Sequence, residues 1–276
     1  MVVAAIGLFT GTTIWAAFKT VPRKVYHYKL NAPETAQTPD RVDARSYFYA
    51  SEKTSSVSVN VPVQIELDDS FNGVELRGDT SVFRYISVKT NTGTSQQKDI
   101  QVWSKPKQMS DTGAGVLDNE TARDILRKSD VTVRIGIGSS RMPGPGYRRF
   151  SFSSCRKVST PKPISDHEFH INVYGTDTLW LQLNAEKLTL DFPKLDDDPN
   201  TAWVHLEGKS DRVAINNYSG GTLEAAGLQT REMYLSNSKQ ARLHVYASDL
   251  ARIRQAKNCE IQVEGNPAHQ WIERIE

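Results

Sequence analysis

The chain has 276 residues, with 34 Lys+Arg against 32 Asp+Glu and a formal net charge of +2. That balance argues against a strongly basic nucleic-acid binder and against an acidic disordered chain. Two cysteines exclude a disulfide-dense scaffold and a four-cysteine zinc site, while the length suffices for a sizeable core.

Residues 2–18 (VVAAIGLFTGTTIWAAF) carry no charge, and Lys19 is the first charged side chain. A helix of this length spans about 25 Å, the short end of what crosses a bilayer core. The segment reads as an N-terminal hydrophobic anchor helix that attaches the protein to a membrane through residues 2–18. A signal peptide competes, although no Lys or Arg precedes the apolar run and no clean small-residue cleavage site follows it. A buried helix or strand is the third reading. Lys19, Arg23 and Lys24 follow at once, and the positive-inside rule would keep what comes next in the cytoplasm. Residues 31–44 are polar with two prolines and read as a linker. The expected organisation is an anchor or signal segment over 1–24, a linker over 25–44 and a β domain over 45–276.

From Tyr47 onward alternation dominates. Val57, Val59, Val61 and Val63 alternate, Ile65 and Leu67 continue the pattern, and VEL (74–76), ISV (86–88) and IQV (100–102) repeat it. Period two with β-branched residues predicts half-buried strands. Pro62 within the first run predicts an edge or a bulge. One stretch departs: ETARDILRK (120–128) sets Ala122, Ile125 and Leu126 on one helical face, with Asp118 as a cap. It predicts a helical insertion near 116–128.

The next segment is basic. Arg141, Arg148, Arg149, Arg156 and Lys157 are interleaved with Tyr147, Phe150 and Phe152. A strand with Phe150 and Phe152 inward and the charges outward is expected, with a patch for acidic polysaccharide or lipid headgroups as the rival. Gly136-Ile-Gly138 reads as a turn, because no helix follows to hold a pyrophosphate.

In the last third, Val213, Leu223, Met233, Leu243, Ile253 and Val263 fall ten residues apart, and Ile215, Ala225, Leu235 and Val245 follow two residues behind. Turn residues separate them. A fixed interval with short strands points to a repeat architecture with about 20 residues per rung. The expected fold is all-β, a right-handed parallel β-helix-like solenoid preceded by the anchor helix; a sandwich is the alternative.

Three segments carry a family resemblance: RLHVYASDLARIRQAKNCEIQVEGNP (242–267), INVYGTDTLWLQLNAEKLTLDF (171–192) and GTLEAAGLQTREMYLSNSKQARLHV (221–245). The first resembles the end of the putative auto-transporter adhesin, head GIN domain, where a last pair of rungs closes on a Gly-x-Pro-like turn, here Glu264-Gly265-Asn266-Pro267; the other two resemble that family's repeated unit of strand, Gly-centred turn and strand. VNVPVQIELDDSFNGVELRGDTSVFRYISVKTN (59–91) resembles its opening hairpin, followed by a Gly-Asp turn and a short piece at Phe83–Ile86. The segment 106–129 is longer than the family's usual connection, and LDDDPN (195–200) breaks the interval. The resemblance implies an exported, tethered bacterial cell-envelope domain with no enzymatic activity: inner-membrane anchored, with a periplasmic or exported body. That implication opposes the charges after residue 18.

The search for chemistry yields little. His167 and His170 lie three apart, so on a strand they face opposite sides. His205 and His244 have no third metal ligand at a matching interval. Asp196, Asp197 and Asp198, with Asp191, form the densest acidic group; a solvated turn is expected there, with calcium as the rival. Cys155 and Cys259 are 104 residues apart, and whether they pair is left open. No metal, cofactor or nucleic acid is expected. A non-catalytic module for adhesion, polysaccharide contact or scaffolding is expected, its partner a cell-surface polysaccharide or envelope protein. Trp180, Trp203, Tyr218, Tyr234 and Tyr246 are the candidate contact residues, because alternation turns them away from the core. The alternatives are a carbohydrate-active enzyme using Asp191 and Asp196–Asp198, and an envelope-sensing accessory domain.

Overall fold

The computed structural model describes residues 25–27, 54–92, 98–104, 119–138, 146–193, 202–218, 220–237, 241–257 and 259–275. The strands are β1 (Val25–His27), β2 (Thr54–Asn60), β3 (Gln64–Asp68), β4 (Asn72–Gly78), β5 (Ile86–Thr92), β6 (Lys98–Ser104), β7 (Val131–Ile137), β8 (Tyr147–Ser153) and β9 (Lys157–Ser159). Then come β10 (Ile164–Tyr174), β11 (Thr178–Phe192), β12 (Trp203–Asn217), β13 (Gly221–Ala225), β14 (Leu228–Asn237), β15 (Ala241–Tyr246), β16 (Leu250–Ala256), β17 (Glu260–Glu264) and β18 (His269–Ile275). A 3-10 helix covers Thr80–Tyr85, and one α-helix, α1, covers Asn119–Lys128.

The strands form two ladders within one sheet. In the first, β3 pairs with β9, β9 with the start of β11, that with the start of β12, and then come β13, β15 and β17. In the second, β2 pairs with β8, β8 with β10, β10 with the rest of β11, that with the rest of β12, and then come β14, β16 and β18. All these pairings are parallel. β11 and β12 are long enough to run through both ladders and join them.

The ten-residue interval has a direct meaning in this arrangement. Val213, Met233 and Ile253 belong to the second ladder, and Leu223, Leu243 and Val263 to the first. Residues twenty apart are neighbours at first: Val213 opposes Met233, and Leu223 opposes Leu243. The register then shortens, so that Met233 opposes Ala251 and Leu243 opposes Ile261.

The first third corrects the expected fold. The protein is all-β, but it is not the right-handed parallel β-helix-like solenoid that the periodicity predicted. β4 runs antiparallel to β7 and to β1, and β5 runs antiparallel to β6. β7 lies between β3 and β4, so the opening segment does not close as a hairpin. The result is one nearly closed, barrel-like sheet of mixed orientation. Alternation is satisfied equally by parallel and antiparallel neighbours, which is why the pattern left strand direction open. The predicted anchor over residues 2–18 lies outside the described residues. Among the described residues no helix is long and apolar enough to cross a membrane.

Corners between the ladders stack as the strands do. Pro62 sits at neither an edge nor a bulge but at the corner between β2 and β3, where its fixed φ suits a change of direction. Arg156 N donates to Val63 O at 3.1 Å, and Asp177 N to Cys155 O at 3.1 Å, linking successive corners. Cys155 is buried in this stack, and burial pushes its thiol up to about 12, so it is an inert packing residue. Among the described residues, neither Cys155 nor Cys259 is in a disulfide.

Inward side chains from both ladders form one continuous core. Leu190, Ile215, Leu235 and Ile253 make one column across it, and Leu179, Val204, Leu223 and Leu243 another. The predicted helix is present as α1, with Ala122 and Leu126 fully buried and Ile125 packed beside them. Arg156 donates to the carbonyls of Arg127 (3.0 Å) and Ser129 (2.9 Å), satisfying acceptors at the C-terminal end of α1.

Arg148 overturns its predicted orientation. It lies on the same face of β8 as Phe150 and Phe152 and is 1% exposed. Its guanidinium donates to Asp166, to Ile137 O at 2.6 Å and to Gly138 O at 2.8 Å. A charge can be buried there because a carboxylate and two carbonyls meet it. Arg149 faces outward, as expected, and so does Tyr147.

Candidate binding surface

On β11, Leu179 and Leu181 point inward, so Trp180 points out; on β12, Val204 and Leu206 do the same for Trp203 and His205. The register sets Trp180 opposite His205 and Thr178 opposite Trp203. The three rings therefore meet. Trp180 and Trp203 have centroids 6.2 Å apart at 84°, Trp180 and His205 5.0 Å at 61°, and Trp203 stacks on His205 at 5.6 Å and 23°. Trp180 is 39% and Trp203 37% exposed. A polar margin frames the rings: Lys157 Nζ lies 5.8 Å from the Trp180 centroid, His205 Nε2 meets Glu207 Oε1 at 2.7 Å, and Gln182 Nε2 donates to Glu207 Oε2 at 3.1 Å.

Farther along the same face, His244 bridges two carboxylates. Its Nδ1 is 3.1 Å from Glu224 Oε2 and its Nε2 2.7 Å from Glu264 Oε1. The Glu264 hydrogen bond dominates, the Glu224 bond adds to it, and together they hold the imidazole pKa above its ordinary value against a smaller desolvation cost. Tyr246, on β15, is half-buried.

The other candidate aromatics are elsewhere. Tyr234 is exposed on the outer face of the second ladder, and Tyr218 is exposed just past β12. The pattern thus brings Trp180 and Trp203 together and leaves Tyr218 and Tyr234 apart from them. Two contributors escaped the sequence reading. The sequence offers His205 only as a metal ligand, and Trp271 is 70% exposed on β18, two strands beyond Tyr234. Alternation marks both as outward, so the signal was present.

Among the described residues, the side chains weighed as chemical centres are engaged with neighbours. Asp191 is held by His170 Nε2 (2.7 Å) and Asn216 Nδ2 (2.7 Å), and His167 is bound to Glu186 (2.8 Å). Asp196–Asp198 and Arg141 lie outside the described residues. Among the described residues no group of three or more His, Cys, Asp or Glu could hold a metal ion.

No curated protein matches the chain. Solved structures are similar to it, and three of them are the following. One, described as a putative adhesin from Bacteroides fragilis NCTC 9343, is 13% identical, covering 83% of this chain and 91% of that one, with a TM-score of 0.49. A putative adhesin from Parabacteroides merdae ATCC 43184 is 11% identical over 92% of this chain and 95% of that one, with a TM-score of 0.45. A putative lipid binding protein from Parabacteroides distasonis ATCC 8503 is 12% identical over 92% and 97%, with a TM-score of 0.44. At this similarity they carry no weight for function. A family model does: "Putative auto-transporter adhesin, head GIN domain" matches residues 116–267. The match runs from the segment before α1 to the turn after β17, more than half of the chain, and the protein belongs to this family of adhesin head domains.

Proposed function

We propose that the protein is an exported, non-catalytic adhesion module that contacts surface polysaccharide through Trp180 and Trp203. The observation that supports this most is the exposed Trp180–Trp203–His205 ring group on an otherwise polar sheet face. Large, stiff aromatic side chains supply contact area at low cost in side-chain entropy, and Trp is enriched among residues that dominate binding. Strands below and beside the rings keep them in place before any ligand arrives. Lys157, Glu207 and Gln182 at the margin offer hydrogen bonds to sugar hydroxyls.

Two measurements test it. A glycan array probed with the full chain should give a bound glycan whose affinity falls at least about tenfold in Trp180→Ala and in Trp203→Ala. Unchanged binding in both variants would remove these residues from the site. A reporter active on only one side of the membrane, fused to the chain with and without residues 1–24, tests export. Reporter activity confined to the cytoplasm would overturn the exported role.

A further inference from the structure

The outer face of the second ladder holds another built surface. Register sets Tyr234, Arg252 and Trp271 in one column and Asn216, Ser236 and Arg254 in the next. These side chains line a depression of about 430 Å³. Arg252 lies over the Trp271 ring, 6.0 Å from its centroid. Among the described residues, no carboxylate lies within ion-pair distance of Arg252. Arg254 has Glu273 only at 3.8 Å, with both side chains 60% exposed.

We infer that this depression binds a carboxylate-bearing sugar of an acidic polysaccharide, with Arg252 taking the carboxylate and Tyr234 and Trp271 flanking the ring. The inference rests on the adhesive reading above but uses a different surface. The guanidinium fork matches a carboxylate in a two-bond pair, and seating it on an indole leaves its N–H edge open. Tyr234 and Trp271 stand two strand steps apart, about 10 Å, on either side of the Arg252 strand. They form walls around the charge. Ser236 and Asn216 add hydrogen-bonding groups for hydroxyls; the Asn216 amide nitrogen is already given to Asp191, which leaves its carbonyl as the acceptor. Glu273 at the margin disfavours a densely charged anion and suits one carboxylate per ring.

The test titrates the full chain with polygalacturonate, with dextran and with poly-glutamate. Polygalacturonate is expected to bind and to weaken as salt rises. Arg252→Gln should lose about tenfold or more, Arg252→Lys nearly as much because the fork is gone, and Tyr234→Ala should lose a smaller factor. Dextran binding should be the same in the wild type and Arg252→Gln. Both side chains, Arg252 and Tyr234, are exposed, so unchanged melting temperatures will confirm folded variants. Polygalacturonate affinity indifferent to Arg252→Gln overturns the inference. So does poly-glutamate binding of equal strength with the same Arg252 dependence, which would make this a site for acidic peptide. Loss of uronate binding in Arg252→Gln, with no effect of Trp180→Ala or Trp203→Ala on any glycan, would remove the Trp180–Trp203 surface and leave this site standing.

Discussion

His244 is the residue whose chemistry reports most directly on folding. With a carboxylate on each ring nitrogen, both nitrogens act as donors only when the ring is protonated. The folded pKa is raised above the unfolded value of about 6.5, chiefly by Glu264. Its stabilising contribution is therefore fully present below about pH 6.5 and is lost as pH rises through the folded pKa. His244→Gln should lower the melting temperature at about pH 6 and have little effect at about pH 9. An NMR titration midpoint for His244 at or below about 6.5 would contradict the arrangement. Arg148 teaches the complementary lesson. Its place on the inward face was readable, since it stands two and four residues before Phe150 and Phe152, yet charge alone argued for water. Its acceptors come from β10 and from the end of β7, and no local pattern around residue 148 announces them.

At the scale of elements, β12 shows how one strand serves two ladders. It turns between them at Gly208, where φ is +112° and an added Cβ would lie 2.1 Å from Leu183 O on β11. Only glycine accepts both that backbone angle and that approach. Gly208→Ala should destabilise the protein by at least about 1 kcal/mol in urea unfolding. A loss within about 0.5 kcal/mol would show that β12 can bend elsewhere without penalty. Strand positions in the last third were legible because short aliphatic runs alternate with turn residues. The change of register after β14 was not, because the length of each return depends on how the corners pack.

Across the whole molecule, burial is graded along one column. Ile215 and Ile253 are fully enclosed, whereas Ile272, next in line on β18, is 45% exposed. Ile261 and Val263 on β17 are only partly buried. Ile215→Ala should cost about 2–5 kcal/mol through lost contacts and a residual cavity, and Ile272→Ala should cost less than about 1 kcal/mol. Equal losses in urea unfolding would mean that β18 is enclosed in solution. The opposite region is built differently: Arg134 links Asp68 on β3 to Glu75 on β4 and lies 4.7 Å from the Phe71 ring centroid. Burial opposes the charge of Asp68, but hydrogen bonds from Ser70 and Arg134 outweigh it and hold the carboxyl below its usual range.

Local periodicity by itself determined the strands, the inward faces of most of them, helix α1 and the outward aromatics. These depend on neighbours two or four residues away. The tertiary structure alone decided the direction of β4 and β5, the insertion of β7 between β3 and β4, the burial of Arg148 and the meeting of Trp180 with Trp203 and His205. Each depends on which distant strand supplies the hydrogen-bonding edge. A local period of two satisfies parallel and antiparallel neighbours alike, so it carries no record of that choice.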